Sequence, residues 1–156
     1  MIRHDGRRHH GGAGGAPVRS LSHIAIAVRD AEPLAATLVA ALGATRGAEE
    51  LLDGGALRVV FVHLGPVTLE LLEPRSPKHT VARFLDKKGE GLHHVSLEVA
   101  DIEAALARCR ESGVRPIDQA PRPGAHGTRV AFLHPKGLGG VLLELSQAGK
   151  SGASRS

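Results

Sequence analysis

Four residues of this chain could do chemistry together: His23, Glu70, His94 and Glu144. Glu70 and Glu144 each stand alone in a short, otherwise apolar stretch, VTLELLE at 67–73 and VLLELSQ at 141–147. An ionised carboxylate buried without a partner is expensive, or it gives up its charge. His23 and His94 lie at the starts of two further apolar stretches, SHIAIAV at 22–28 and HHVSLEV at 93–99. One such histidine alone would read as an ordinary hydrogen-bonded residue. Two imidazoles with two carboxylates, and no thiolate, suit Co²⁺, Mn²⁺, Fe²⁺, Ni²⁺ or Zn²⁺. Four protein ligands in an octahedral shell would leave two positions for a bidentate ligand.

What must position these residues is a duplication. LSHIAIAVRDAE at 21–32 matches LHHVSLEVADIE at 92–103, and the same shift relates RVVFVH at 58–63 to RVAFLH at 129–134. After a short insertion, VTLELLE answers VLLELSQ. The chain is therefore two copies of one unit, about 21–76 and 92–147, each contributing one His and one Glu.

Within each copy the periods are readable. HIAIAV alternates and reads as a strand. Asp30 offers a helix N-cap, and EPLAATLVAALG has helical spacing stopped by Gly43. Asp101, IEAALARCRESG and Gly113 repeat this in the second copy. Two strands follow in each, LRVVFVHL and VTLELLE, then TRVAFLHP and GVLLELS, with a shorter strand expected near 45–51 and near 114–119. Each unit is βαβββ. The expected fold class is α+β, two tandem units joined into one curved mixed sheet, since neither unit alone covers its sheet edge.

Strand parity sorts the side chains. Val95, Leu97 and Val99 should pack on a helix, while His94, Ser96 and Glu98 face the other way. Ile24, Ile26 and Val28 behave alike, opposite His23, Ala25 and Ala27. Small residues beside each histidine leave a hollow. His93 has the wrong parity for a ligand and is expected to pack or to support His94. Cys109 should be in the core, and His63 and His134, which repeat one another, are expected to be structural.

The 156 residues suit one domain, expected at 20–148. A single Cys excludes an internal disulfide framework and fits a reducing, cytoplasmic setting. No apolar run approaches the roughly 18 residues of a membrane span. The net charge of +4 sits in the ends: residues 1–19 carry +3, residues 149–156 carry +2, and the remainder is −1. Nucleic-acid binding is therefore not expected. Both ends are Gly-, Ser- and Arg-rich with little apolar content and read as solvated, disordered tails.

The paired units, with His on the first strand and Glu on the last, resemble the vicinal oxygen chelate superfamily. SPKHTVARFLDKKGEGLHHVSLEV at 76–99 and PGAHGTRVAFLHPKGLGGVLLEL at 123–145 resemble, more narrowly, the methylmalonyl-CoA epimerase family. The resemblance covers about 21–147. It implies inversion at C2 of methylmalonyl-CoA in propionate metabolism, an acyl-CoA substrate, a homodimer and a preference for Co²⁺. It also implies that His23, His94 and Glu144 are metal ligands, with Glu70 a further one, and that Glu144 doubles as a proton carrier. Some members carry a second glutamate on the third strand of the first unit, proposed as the other base. Here that strand reads ALRVVFVHL, with Arg58 and Val59 near that place and no acid. Glu49 and Glu50 precede it as weak substitutes, Glu50 the candidate taken; a metal-bound water or a single-base mechanism stays open. His126, in a Gly-rich loop, and Lys136 are candidate substrate contacts. Two other readings remain: another metal-dependent member such as a glyoxalase-like lyase or a dioxygenase, and a metal-free module that binds a small ligand. Two carboxylates disfavour the dioxygenase, and an intact His/Glu set disfavours the metal-free module.

Overall fold

The computed structural model describes residues 18–149, so most of both proposed tails lies outside the described residues. The chain opens with β1 (Ser20–Ala27) and turns at Asp30, whose carboxylate accepts the Glu32 N–H at 3.0 Å and caps α1 (Ala31–Leu42). Such a cap contributes about 1 kcal/mol. Gly43 ends the helix in the left-handed conformation (φ 67°), returning its N–H to the last carbonyls. Then come β2 (Thr45–Leu52), a 3₁₀ turn at Asp53–Gly55, β3 (Leu57–Leu64) and β4 (Val67–Pro74).

The second copy runs β5 (Gly91–Glu98), α3 (Ile102–Glu111) capped by Asp101, β6 (Arg122–Pro123), β7 (Arg129–Leu133) and β8 (Leu143–Gln147). The expected strand near 114–119 is reduced to one bridge, Pro116 to Leu133, and its place in the sheet is taken by the two residues of β6. Prolines at 116, 121 and 123 lack the N–H a longer ladder requires. A third helix, α2 (Thr80–Lys88), joins the copies and was not expected from the sequence.

All eight strands form one sheet in the order β2-β3-β4-β1-β5-β8-β7-β6. The outer strands of each half are antiparallel; β1 runs parallel to β4, and β5 parallel to β8. The halves join through the antiparallel β1–β5 pair. This is the curled mixed sheet of the α+β vicinal oxygen chelate fold. On the convex side α1 buries Ala31 and Ala35 against Val60, Val62, Leu69 and Leu71. α3 buries Ile102 and Leu106 against Ala131, Leu133 and Leu145, with half-buried Cys109 at the edge of that cluster. α2 lies on the concave side, where Val81 and Leu85 pack on Ala25, Ala27, Val59 and Leu72.

The sheet curls until its edges meet. Glu50 on β2 accepts the backbone N–H of His126, in the 3₁₀ turn Ala125–Gly127, at 3.0 Å. The His126 ring also lies over Phe61 of β3, with centroids 4.3 Å apart. No described helix is long and apolar enough to cross a membrane.

Candidate metal and active site

The concave face encloses a cavity of about 930 Å³. His23, Glu70, His94 and Glu144 all line it and all are buried. The parallel pairings set them there: Ser96 of β5 lies opposite Glu144 of β8, and Ala25 of β1 opposite Glu70 of β4. His23, His94 and Glu144 each bring one ligand atom within 4.8 Å of the other two. His23 Nε2 is 3.2 Å from His94 Nε2 and 3.5 Å from Glu144 Oε1; His94 Nε2 is 3.8 Å from Glu144 Oε2.

Glu70 is one step removed from that cluster. Its Oε2 is 2.7 Å from His23 Nδ1, on the far side of the ring from Nε2. Glu70, expected as a fourth ligand, thus stands paired with His23 in this arrangement. A ligand histidine needs such an acceptor to fix its tautomer.

A β-bulge corrects the parity argument for His93. Ala25 pairs with His94 and Ile26 with Leu92, so His93 is an extra residue. The bulge lets His93 reach the cavity beside His94, with the two Nδ1 atoms 2.9 Å apart. The first copy repeats the device: Ser22 is skipped between Leu21 and His23, and its Oγ is 3.1 Å from His23 Nδ1.

The electrostatics follow from burial. Burial pushes Glu144 up to about 7, against the pull of His23. Burial drives His94 down to about 2, helped by His23 and His93. Burial also holds His93 down, to about 4. At His23 burial lowers the pKa, but the hydrogen bond and charge of Glu70, with the charge of Glu144, raise it overall. The tautomers that carry their proton on Nδ1, given by His23 to Glu70 and by His94 to His93, would leave both Nε2 lone pairs facing each other across 3.2 Å. Beside them Glu144 Oε1 is buried with no hydrogen-bond partner. Facing lone pairs and an orphaned carboxylate oxygen are what a bound divalent cation satisfies, so the donor set fits one.

The softer candidates separate. His126 lines the cavity. Glu50 is not on the cavity wall; its Oε2 accepts the His126 backbone N–H and braces the rim. Lys136 does not line the cavity, and its backbone N–H donates to His134 Nδ1 at 3.0 Å. Lys78 and Arg122 are the cations that do line it, Arg122 with its guanidinium 5.4 Å from the Phe132 centroid. The sequence reading also missed Asp53 and His79 on the cavity wall. Asp53 hides in an Asp-Gly-Gly run that reads as a turn, and His79 in a segment not expected to be helical.

Residues 22–132 match the Glyoxalase/Bleomycin resistance protein/Dioxygenase superfamily. Over 129 residues the chain is 43% identical to the mitochondrial methylmalonyl-CoA epimerase of Homo sapiens, covering 82% of this chain and 73% of that one. It is equally 43% identical to the ethylmalonyl-CoA/methylmalonyl-CoA epimerase of Cereibacter sphaeroides, covering 81% of this chain and 96% of that one. The chain belongs to the methylmalonyl-CoA epimerase family. Solved members superimpose closely. The Mycobacterium tuberculosis epimerase has a TM-score of 0.81 at 31% identity, covering 91% of this chain and 95% of that one. A Streptomyces coelicolor epimerase variant in complex with 2-nitronate-propionyl-CoA has a TM-score of 0.78 at 33% identity, covering 85% and 99%. Family membership accounts for the duplicated, curled sheet.

Proposed function

We propose that this chain interconverts (2R)- and (2S)-methylmalonyl-CoA by moving a proton at C2. The observation that carries the reading is the buried cluster of His23, His94 and Glu144 on the floor of a cavity sized for an acyl group. A divalent ion held there would act as a Lewis acid toward substrate oxygens and stabilise the developing enolate. His23, His94 and Glu144 would hold it, with Glu70 and His93 fixing the two imidazoles. The C2 proton is only weakly acidified by its thioester and carboxylate neighbours, so a positioned base is needed. Glu144 supplies one: its carboxylate is buried on the cavity wall beside both imidazoles, in place to take the proton and return it. Leu57, Val59, Phe61 and Leu72 give that cavity an apolar wall against which the acyl group would pack.

The reading extends to Co²⁺ as the ion, supported by imidazole and carboxylate donors without thiolate. It extends to a homodimer, supported by the convex β1–β5 strip of Ile24, Ile26, Val95 and Leu97, which is only half-buried. It also extends to a cytoplasmic role in propionate metabolism, supported by a chain whose one cysteine suits a reducing compartment. The test is NMR of either epimer in D₂O with Co²⁺-loaded protein against an EDTA-stripped control. Metal-dependent inversion with deuterium at C2 is expected. No exchange with metal still bound would move the chain to another chelate reaction.

A further inference from the structure

Asp53 and His79 form a second acid–base element on the wall of the same cavity. Asp53 Oδ2 lies 2.7 Å from His79 Nε2. His79 is also the N-cap of α2, its Nδ1 accepting the Val81 N–H at 3.1 Å. That bond fixes the tautomer: Nδ1 has no proton, so Nε2–H donates to Asp53. Asp53 holds a left-handed backbone (φ 54°), and the non-glycine residues with positive φ among those described are Asp53 and His126, both on the cavity wall. Strain of this kind collects at functional positions.

The other acids lining the cavity are committed. Glu70 and Glu144 belong to the metal cluster. Asp118 is held by Arg122 and by the Phe132 N–H. Glu98 accepts from the Ser20 hydroxyl. Asp53 accepts from His79 through Oδ2 and keeps Oδ1 for a ligand; Glu98 likewise keeps one oxygen, but it stands at the end of β5, the strand that pairs with β8. Asp53 sits on the rim between β2 and β3, in the half of the sheet away from β8, which carries Glu144. Lys78 adjoins the pair in sequence, His93 faces His79 from β5, and Arg122 shares a small cleft with Asp53.

We infer that Asp53, oriented by His79, is the second proton carrier, serving the face of C2 that Glu144 does not. This rests on the epimerase reading. With Glu144 ionised and the single proton on Asp53 Oδ1, the C2–H bond breaks toward Glu144 and its electron pair passes into the thioester carbonyl. Asp53 gives its proton to the opposite face, restoring tetrahedral carbon and leaving the single proton on Glu144. The reverse reaction starts from that state. The Nε2–H of His79 aims the carboxylate and is a positioning contact.

The test uses full-length Co²⁺-loaded protein and both epimers in D₂O. Wild type is expected to put deuterium into essentially all first-formed product, while recovered substrate stays protonated, because different groups remove and deliver the hydrogen. Product that retains the substrate hydrogen would overturn the inference without any variant. Asp53→Asn keeps a residue that tolerates the left-handed backbone but cannot carry a proton. It is expected to lose inversion by about 10²- to 10⁴-fold while still deuterating, with retention, the one epimer that Glu144 reaches. Inversion within threefold of wild type, or equal loss of exchange from both epimers, would overturn the assignment. His79→Ser preserves the helix cap and removes the Asp53 contact. It is expected to lower kcat about tenfold with KM and metal content unchanged, and to add nothing to Asp53→Asn, as for residues that act as a unit. Additive losses would reduce His79 to a helix cap. A wild type that neither inverts nor exchanges would instead overturn the epimerase reading itself.

Discussion

Ser22 and His93 occupy equivalent places in the two halves, and each is the extra residue of a β-bulge whose side chain reaches Nδ1 of the next histidine. The bulges re-aim both imidazoles while giving each a neighbour that steadies it. The supports differ in strength. His23 has Glu70 at 2.7 Å as well as Ser22, whereas His94 has His93 alone among the contacts at its Nδ1.

Removing the His93 acceptor should therefore matter more than removing the Ser22 hydroxyl. His93→Phe keeps a ring against Phe84, which His93 touches at 4.9 Å, and deletes the acceptor. Co²⁺ affinity, measured by calorimetry, is expected to fall about 10- to 100-fold, the usual cost of losing a ligand's hydrogen-bond partner. Ser22→Ala should cost less than tenfold by the same rule. The opposite ranking would mean that the bulges do not orient the ligands.

These bulges also mark where sequence reading stopped. The repeat placed His23 with His94 and Glu70 with Glu144, because duplicated strands impose the same geometry twice. Helix caps at Asp30 and Asp101 were legible because capping is local. Parity failed at His93 because a one-residue bulge breaks the alternation without a compositional sign. Glu70 was legible as a buried acid, but its choice of His23 Nδ1 depends on rotamers that only the packed site fixes. α2 is short, and its two buried residues, Val81 and Leu85, span a single turn, too little to show a period. Asp53 was missed because an acid was sought on β3, whereas the residue sits in the turn before it.

Metal binding should release protons in acid. The ion takes the ionised carboxylate, and free Glu144 titrates at about 7. Below that pH, binding must expel its proton, so affinity should fall about tenfold per pH unit, and should level off above it. His23, raised by Glu70, adds a second proton where it is charged, steepening the fall. His94, held down to about 2, is already neutral and adds none. Calorimetry in buffers of different ionisation heat should count between one and two protons at pH 6. A pH-independent affinity would show that Glu144 is not a ligand.

Stability and site should separate across β4. Leu71 is fully buried on the helix side, next to Glu70 in sequence but on the opposite face. Leu71→Ala is expected to cost about 2–5 kcal/mol in urea unfolding of the metal-free protein. Native protein should still bind Co²⁺ within threefold of wild type. A larger loss of affinity would mean that the two faces of the sheet are mechanically coupled.

The convex face offers the last test. Val28 and Val99 are buried, under the α1 and α3 clusters respectively, but Val95 and Leu97, expected to pack on a helix, are only half-buried. They lie on β5, between the strands that α1 and α3 cover, beside Ile24 and Ile26 of β1. If a second copy covers this strip, Val95→Asp buries an unpaired carboxylate in the interface, which is costly enough to split a contact of about 800 Å² per partner. Sedimentation should then show the mass fall from a dimer to the 16.3 kDa of one chain. All four residues, His23, Glu70, His94 and Glu144, come from a single chain, so the separated chain should still take up one Co²⁺. A chain that is already 16.3 kDa before substitution rejects the dimer. Loss of metal on separation would mean that the partner stabilises the β1–β5 seam on which both histidines stand.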